Sequence, residues 1–340
     1  MSGAAAGLAS ALALRSMPFL RSATTRGWPR LVAGSIGAMF ATLLGPLPRP
    51  PLPEDAAPEA LLDAVLAAQS EAGLEPLIDG GWPLSDADPV ASWRSTQSRA
   101  AALVKAVVLG PVSAGLPVEA VRATILGLAD AGCAWIEVHE PAAVSIGTDA
   151  HAQARFAAAQ QALTADLAAL EGLHLSLAIT GGNADAAGIQ TILAGAYASL
   201  ALDLIDGPDN WRLVAATPGD RGIVCGALSS RDGGDESPEL LLYAAGYAAS
   251  TAGRGPARVG LATSNSLAAL PWEVAVRKMS RLGSGAKLAA AAPAERRAGL
   301  DPRAVDIRSA ALGTRTPRPR RPPRPPRPPR TSRPDRPPDA

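Results

Sequence analysis

Short apolar runs rich in β-branched residues alternate along this chain with longer amphipathic stretches rich in alanine and leucine. The runs predict eight strands, at Leu31–Ser35, Glu75–Ile78, Lys105–Leu109, Ala134–Val138, Leu173–Ile179, Ser199–Leu204, Gly222–Ala227 and Val259–Ala262. Strands separated by helices pair in parallel, because a parallel crossover needs about a dozen residues or more. We therefore predict an α/β protein with a single (β/α)8 TIM barrel over residues 31–290. An open doubly wound sheet is the competing architecture.

The two ends of the chain differ in composition from the part between them. Residues 1–53 carry five arginines and no acidic residue, whereas residues 315–340 hold nine arginines and eleven prolines. We predict that residues 1–30 form a disordered or targeting-like extension. Residues 291–340 are predicted to be a linker followed by a disordered Pro/Arg-rich tail, which either binds a proline-recognition module or has no function.

Charge and composition exclude several functions for the central part of the chain. Residues 54–314 carry a net charge of −11, which argues against nucleic-acid binding, because phosphate contacts need a positive face. We find no run of about 20 apolar residues, so we predict no membrane span and a cytoplasmic location. Two cysteines, Cys133 and Cys225, are too few for a disulfide scaffold. Since no glycine-rich phosphate-binding motif follows a predicted strand, we expect no nucleotide cofactor.

Catalytic side chains of such barrels lie where the strands end and the following loops begin. Polar residues occupy most of these positions, and the set is Ser35, Asp79, His139, Glu140, Thr180, Asn183, Asp203, Asp206, Ser229, Arg231, Ser264, Asn265 and Ser266. Loops after strands are polar in any barrel, so this pattern alone indicates only the general position of a site.

Several phrases at these strand ends carry a resemblance to a known family. They include Q-S-E-A-G-L-E-P-L-I-D-G, which ends at Gly80, and A-G-C-A-W-I-E-V-H-E-P-A, which ends at Ala142. Val32–Ser35, Lys105–Pro111 and Gly181–Asn183 occur in matching order. Together these phrases resemble the C-terminal catalytic barrel of cobalamin-independent methionine synthase and its short relatives.

The resemblance implies a zinc ion that binds a homocysteine thiol and presents the thiolate to the methyl group of a methylated folate. It places the four zinc ligands at Ala178, Thr180, Asp203 and Ser266. Alanine has no donor atom, and neutral hydroxyls are poor zinc ligands. Asp203 is the one competent ligand of the four, so we predict weak zinc binding or none.

The resemblance also assigns the substrate positions of the site. Gly34, Ser35, Asp79 and Asn183 would contact the substrate, and His139 with Glu140 would be catalytic. His139 stands where the family has an aspartate. An imidazole there can serve as acid, base or ligand near pH 7.

Three functions follow from these observations. The first is methyl transfer to a thiol amino acid, as a methyltransferase of methionine biosynthesis. The second is a barrel that has lost zinc and binds a small ligand. The third is an interaction protein that acts through its Pro/Arg-rich tail.

Overall fold

The computed structural model of the protein describes residues 39–82, 88–231 and 237–291. Seven parallel strands form one sheet, with the spatial order β1-β7-β6-β5-β4-β3-β2. They are β1 (Phe40–Thr42), β2 (Ala106–Leu109), β3 (Trp135–His139), β4 (His174–Ile179), β5 (Ser199–Asp203), β6 (Gly222–Leu228) and β7 (Val259–Thr263).

The segment Glu75–Ile78 joins the two edges of this sheet. The Glu75 amide donates to the Ala41 carbonyl of β1 at 2.8 Å. On the other side the Leu77 amide donates to Leu103 at 2.8 Å, and the Lys105 amide returns a bond to Leu77 at 2.9 Å. The ring of eight segments is therefore closed, and the predicted (β/α)8 TIM barrel is confirmed.

Pro76 explains why the segment Glu75–Ile78 forms so few hydrogen bonds with the neighbouring strands. Pro76 has no amide hydrogen, so it cannot donate to a neighbouring strand. Its carbonyl instead accepts a 2.7 Å hydrogen bond from the Thr42 hydroxyl of β1. The segment consequently forms one parallel bridge, between Leu77 and Val104, rather than a regular strand.

The start of the barrel differs from the prediction. Leu31–Ser35 lies outside the described residues, and Phe40–Thr42 fills the first position of the ring. Gly260 of β7 makes room for this strand, because a Cβ there would lie 2.3 Å from the Phe40 ring. The predicted extension 1–30 and the tail 315–340 also lie outside the described residues.

Helices cover the outside of the barrel. They are α1 (Pro58–Glu71), α2 (Pro89–Arg99), α3 (Pro111–Ala114), α4 (Val118–Asp130), α5 (Ala150–Thr164), α6 (Ile189–Ile192), α7 (Trp211–Ala216), α8 (Pro238–Ser250) and α9 (Trp272–Ala290). Proline begins α1, α2 and α8, where its missing amide hydrogen costs nothing. None of the helices within the described ranges is both long and apolar enough to cross a bilayer.

The barrel lumen is filled at the amino end of the strands. Trp135 is fully buried there, with the Phe40 ring centroid at 5.5 Å and the His174 ring at 4.2 Å. Its Nε1 donates to the Ser176 hydroxyl at 3.1 Å. The lumen positions nearer the carboxyl end of β4, β5 and β7 are Ala178, Ala201 and Ala262. All three alanines are at most 1% exposed, so the lumen is closed to water at their level and a ligand can approach only from the carboxyl end, where barrel chemistry takes place.

Two helical glycines provide a matched test of how the helices pack on the outside of the barrel. A Cβ at Gly283 of α9 would lie 1.8 Å from the Ala72 carbonyl oxygen, whereas a Cβ at Gly246 of α8 meets no atom within 4 Å. We expect Gly283→Ala to lower the free energy of unfolding by about 2 kcal/mol, as overpacking does. Gly246→Ala should raise it by roughly 0.5–1 kcal/mol, because alanine is the better helix former.

Urea unfolding of the two variants measures both effects. Equal changes in the free energy of unfolding would contradict the close contact between α9 and the end of α1.

Candidate ligand site at the carboxyl end of the barrel

A cluster of charged side chains lies inside the lumen, directly above Trp135. Lys105 Nζ lies 2.8 Å from Glu137 Oε1, and neither side chain is exposed to solvent. The same ammonium donates to the Leu43 carbonyl at 2.9 Å. His139 lies two residues beyond Glu137 on the same face of β3, and its Nε2 is 2.8 Å from Glu137 Oε1. We call these three residues the lumen triad: Lys105, Glu137 and His139.

The lumen triad fixes the charge of its central residue. Burial by itself raises the pKa of Glu137, but the Lys105 ammonium and the hydrogen bond with His139 outweigh burial and lower the pKa to about 2. Burial lowers the pKa of Lys105, against the attraction of Glu137. Glu137 is therefore ionised at neutral pH. Its Oε1 accepts both hydrogen bonds, and its Oε2 has no partner among the described residues.

An apolar wall stands beside the lumen triad. Val107 is paired with Glu137 and Leu109 with His139, so the side chains of each pair point to the same face of the sheet. Val107 is 43% exposed and Leu109 47%, although both lie on the lumen side of a strand. Both side chains therefore leave apolar surface open to solvent near the carboxyl end of β2. This end of the barrel thus has charged groups on β3 beside an apolar surface on β2, the combination that small-molecule sites favour.

The Glu140 side chain is hydrogen-bonded to the backbone of α3, the short helix that follows β2. Its carboxylate accepts from the Val112 amide at 3.2 Å, the Ser113 amide at 2.8 Å and Gln160 Nε2 at 2.8 Å. The residue facing it is Gly110, where a Cβ would lie 2.4 Å from the carboxylate carbon. A buried carboxylate with three donors holds the start of α3 in place next to the apolar wall. A catalytic role for Glu140 stays a prediction.

Asp203 is bound in a similar way at the end of β5. Its two oxygens accept from the backbone amides of Gly181 at 3.0 Å, Ile205 at 2.9 Å and Asp206 at 2.9 Å. Burial raises the pKa of Asp203, and these three hydrogen bonds oppose that rise. Asp206 in turn forms a 2.6 Å ion pair with Arg231 from the loop after β6. Asp203 thus organises the loops after β4 and β5.

The residues at the implied zinc positions do not fit a zinc ion. Ala178 is buried in the lumen and has no donor atom, and Ser266 donates its hydroxyl hydrogen to the Pro46 carbonyl at 3.1 Å. Thr180 supplies only a neutral hydroxyl, and Asp203 already accepts three backbone hydrogen bonds. Within residues 39–82, 88–231 and 237–291, no three His, Cys, Asp or Glu side chains lie close enough to hold a metal.

The implied substrate positions are distributed around the rim. Asp79 accepts from the Gly81 amide at 2.9 Å in a turn. Asn183 pairs with Asp209, whose amide donates to Asn183 Oδ1 at 2.8 Å. Gly34 and Ser35 lie outside the described residues. The structure brings His139 close to Glu137 and Lys105 rather than to these positions.

Sequence reasoning missed Lys105 and Glu137 as site residues, because both lie inside predicted strands rather than after them. The available signal was a charged residue at a lumen position of an otherwise apolar run. Two such residues of opposite sign on neighbouring strands predict a buried ion pair, since a lone buried charge is very costly.

Comparison with known proteins gives the fold. No protein-family profile and no curated protein matches this sequence. A B12-independent methionine synthase from Shewanella sp. W3-18-1, in complex with selenomethionine, is 13% identical with a TM-score of 0.57. The match covers 74% of this chain and 97% of that chain. A putative vitamin-B12 independent methionine synthase from Listeria monocytogenes is 12% identical, with a TM-score of 0.59 over 74% and 98% of the two chains.

Barrels of other activities also match. Dihydrodipicolinate synthase from Cyanidioschyzon merolae, with lysine bound, is 14% identical with a TM-score of 0.46 over 74% of each chain. At such identities the comparisons show a TIM barrel similar to those of methionine synthases, and they do not assign an activity.

His174 is buried below the lumen triad, and its burial makes the stability of the folded protein sensitive to acid. Burial lowers the pKa of His174 from 6.5 to about 3, against the attraction of Glu137. Below about pH 6.5 the unfolded chain therefore binds a proton that the folded chain excludes, so the free energy of unfolding falls as the pH falls. We expect a loss of ~2 kcal/mol between about pH 6.5 and pH 5 from this residue.

Urea unfolding at several pH values tests this expectation. His174→Gln should flatten the pH dependence over that interval, whereas His151→Gln, at an exposed position of α5, should leave it unchanged. Parallel pH curves for wild type and His174→Gln would show that His174 does not titrate on unfolding.

Proposed function

We propose that this protein binds a small amino acid with an apolar, sulfur-bearing side chain in the open lumen, without a zinc ion. The observation that carries the proposal is the exposure of Val107 and Leu109, at 43% and 47%, directly beside Glu137 and His139. A ligand with an apolar chain would cover this wall, and each buried methylene would contribute about 0.8 kcal/mol.

Two further observations support the ligand class. The phrases around His139 and Gly80 resemble methionine synthases, and the similar barrel from Shewanella sp. W3-18-1 is described in complex with selenomethionine, a thioether amino acid. A thiol or thioether chain is apolar enough for Val107 and Leu109. Its amino and carboxylate groups can bind the polar loops after the strands.

Calorimetry of the full chain with methionine and homocysteine tests the proposal. We expect binding by wild type and a loss of at least tenfold in affinity for Leu109→Arg, which places a long charged side chain in the lumen. Leu170→Arg is the matched control, because Leu170 is 38% exposed but precedes β4 at the amino end of the barrel. The proposal fails if neither amino acid binds, or if the two variants lose affinity equally.

Methyl transfer from a methylated folate to a homocysteine-like thiol is the second candidate. It is favoured by the A-G-C-A-W-I-E-V-H-E-P-A phrase, whose residues Trp135–His139 form β3. In the methionine synthase family this reaction depends on zinc, which would polarise the thiol, and Asp203 is the one competent ligand at the four implied positions.

Metal analysis after zinc-replete expression separates the two candidates. We expect far less than one zinc per chain and no methylation of homocysteine from methylfolate at the rate of a zinc enzyme. Near-stoichiometric zinc that disappears in Asp203→Ala would favour the second candidate instead. Asp206→Ala is the control, since it changes a neighbouring carboxylate outside the implied ligand set.

A further inference from the structure

The lumen triad has the arrangement of a proton acceptor supported by a carboxylate. His139 Nε2 lies 2.8 Å from Glu137 Oε1, which also accepts from the Lys105 ammonium at 2.8 Å. A carboxylate held beside an ammonium accepts hydrogen bonds and does not donate them. The proton of a neutral His139 therefore lies on Nε2, and Nδ1 has a free lone pair.

The other ring nitrogen of His139 is available to a ligand. Nδ1 has no hydrogen-bond partner among the described residues, and 12% of the side chain remains exposed. His139 is the last residue of β3, next to Leu109 on the lumen face. A ligand that covers the apolar wall would therefore lie next to the His139 side chain.

We propose that His139 is the general base of the lumen site, that Glu137 and Lys105 are its positioning residues, and that it accepts the proton of a ligand thiol. This inference rests on the proposed function, which supplies the thiol. In the step the ligand S–H bond breaks and an N–H bond forms at Nδ1. The electron pair stays on sulfur as a thiolate, and the new imidazolium is stabilised by Glu137. No oxidant or metal takes part.

The acidity of the ligand selects a thiol over an alcohol. An ordinary thiol has a pKa of about 8.5, close enough to neutral pH for a nitrogen base to accept its proton. An alcohol is far less acidic and would need further activation. The same thiolate is the species that zinc generates in metal-dependent enzymes. The lumen triad can thus perform this one task with side chains alone.

The first experiment determines the tautomer of His139 by NMR of protein labelled with ¹⁵N-histidine. The chain has three histidines, and the spectrum of His139→Gln identifies the signals that belong to His139. We expect Nε2 to be protonated and Nδ1 unprotonated at pH 8. In the double variant Lys105→Met/Glu137→Leu both tautomers should appear, because Nε2 has lost its acceptor. Apolar replacement of a whole buried ion pair usually preserves folding.

The second experiment uses homocysteine as the probe and follows thiolate absorbance in the ultraviolet at pH 7. Bound to wild type, homocysteine should show at least a fivefold larger thiolate fraction than in free solution. His139→Gln should return that fraction to the free value while binding persists, and His151→Gln should match wild type.

Each outcome decides part of the inference. A protonated Nδ1 in wild type, or an unchanged tautomer in the double variant, overturns the role of Glu137 and Lys105. An equal thiolate fraction in wild type and His139→Gln overturns the role of His139 as base. If homocysteine does not bind at all, the proposed function fails together with the thiol, and the NMR result alone then decides whether the triad presents a base.

Discussion

The ion pair between Lys105 and Glu137 connects the closure of the barrel to its site. Removal of two charges from water costs several kcal/mol each, and such a cost is recovered only through close, well-directed contacts. Lys105 makes two of them, to Glu137 on β3 and to the Leu43 carbonyl just after β1. It therefore reaches across the second segment, which pairs through a single bridge. The Lys105 ammonium thus lies next to the part of the ring with the fewest strand hydrogen bonds and also at the centre of the candidate site.

Alternate side chains of β3 lie at three levels of the barrel lumen, from the amino end to the carboxyl end. Trp135, Glu137 and His139 all face the lumen, because successive strand residues point to opposite faces. The indole fills the lumen at its amino end, the carboxylate is held in the dry middle, and the imidazole reaches the open end. Ile136 and Val138 between them pack outward against the helices. Five consecutive residues thus contribute to the packed lumen, to the buried ion pair and to the carboxyl end of the barrel.

Periodicity predicted the barrel well, because eight apolar runs separated by helices can close in few ways. The predicted first strand, Leu31–Ser35, lies outside the described residues, and Phe40–Thr42 occupies the first position of the ring, where Gly260 accommodates the Phe40 ring. For the candidate site, the position of His139 after an apolar run predicts it as a site residue. Glu137 and Lys105 stand out only as charged residues in apolar runs, and their exact pairing depends on the register of β2 against β3, which no local pattern contains. The chemical roles predicted for Glu140 and Asp203 stay predictions, and the hydrogen bonds of both carboxylates hold neighbouring loops in place.

Alanine occupies lumen positions of β4, β5 and β7, and it supplies no donor atom for a metal. A zinc site needs donor atoms that converge from several strand ends. The lumen triad has a simpler requirement, because Glu137 and His139 both lie on β3 and Lys105 directly precedes β2. Its geometry depends on one register and not on the convergence of four loops. The proposed side-chain base therefore places few constraints on the rest of the barrel.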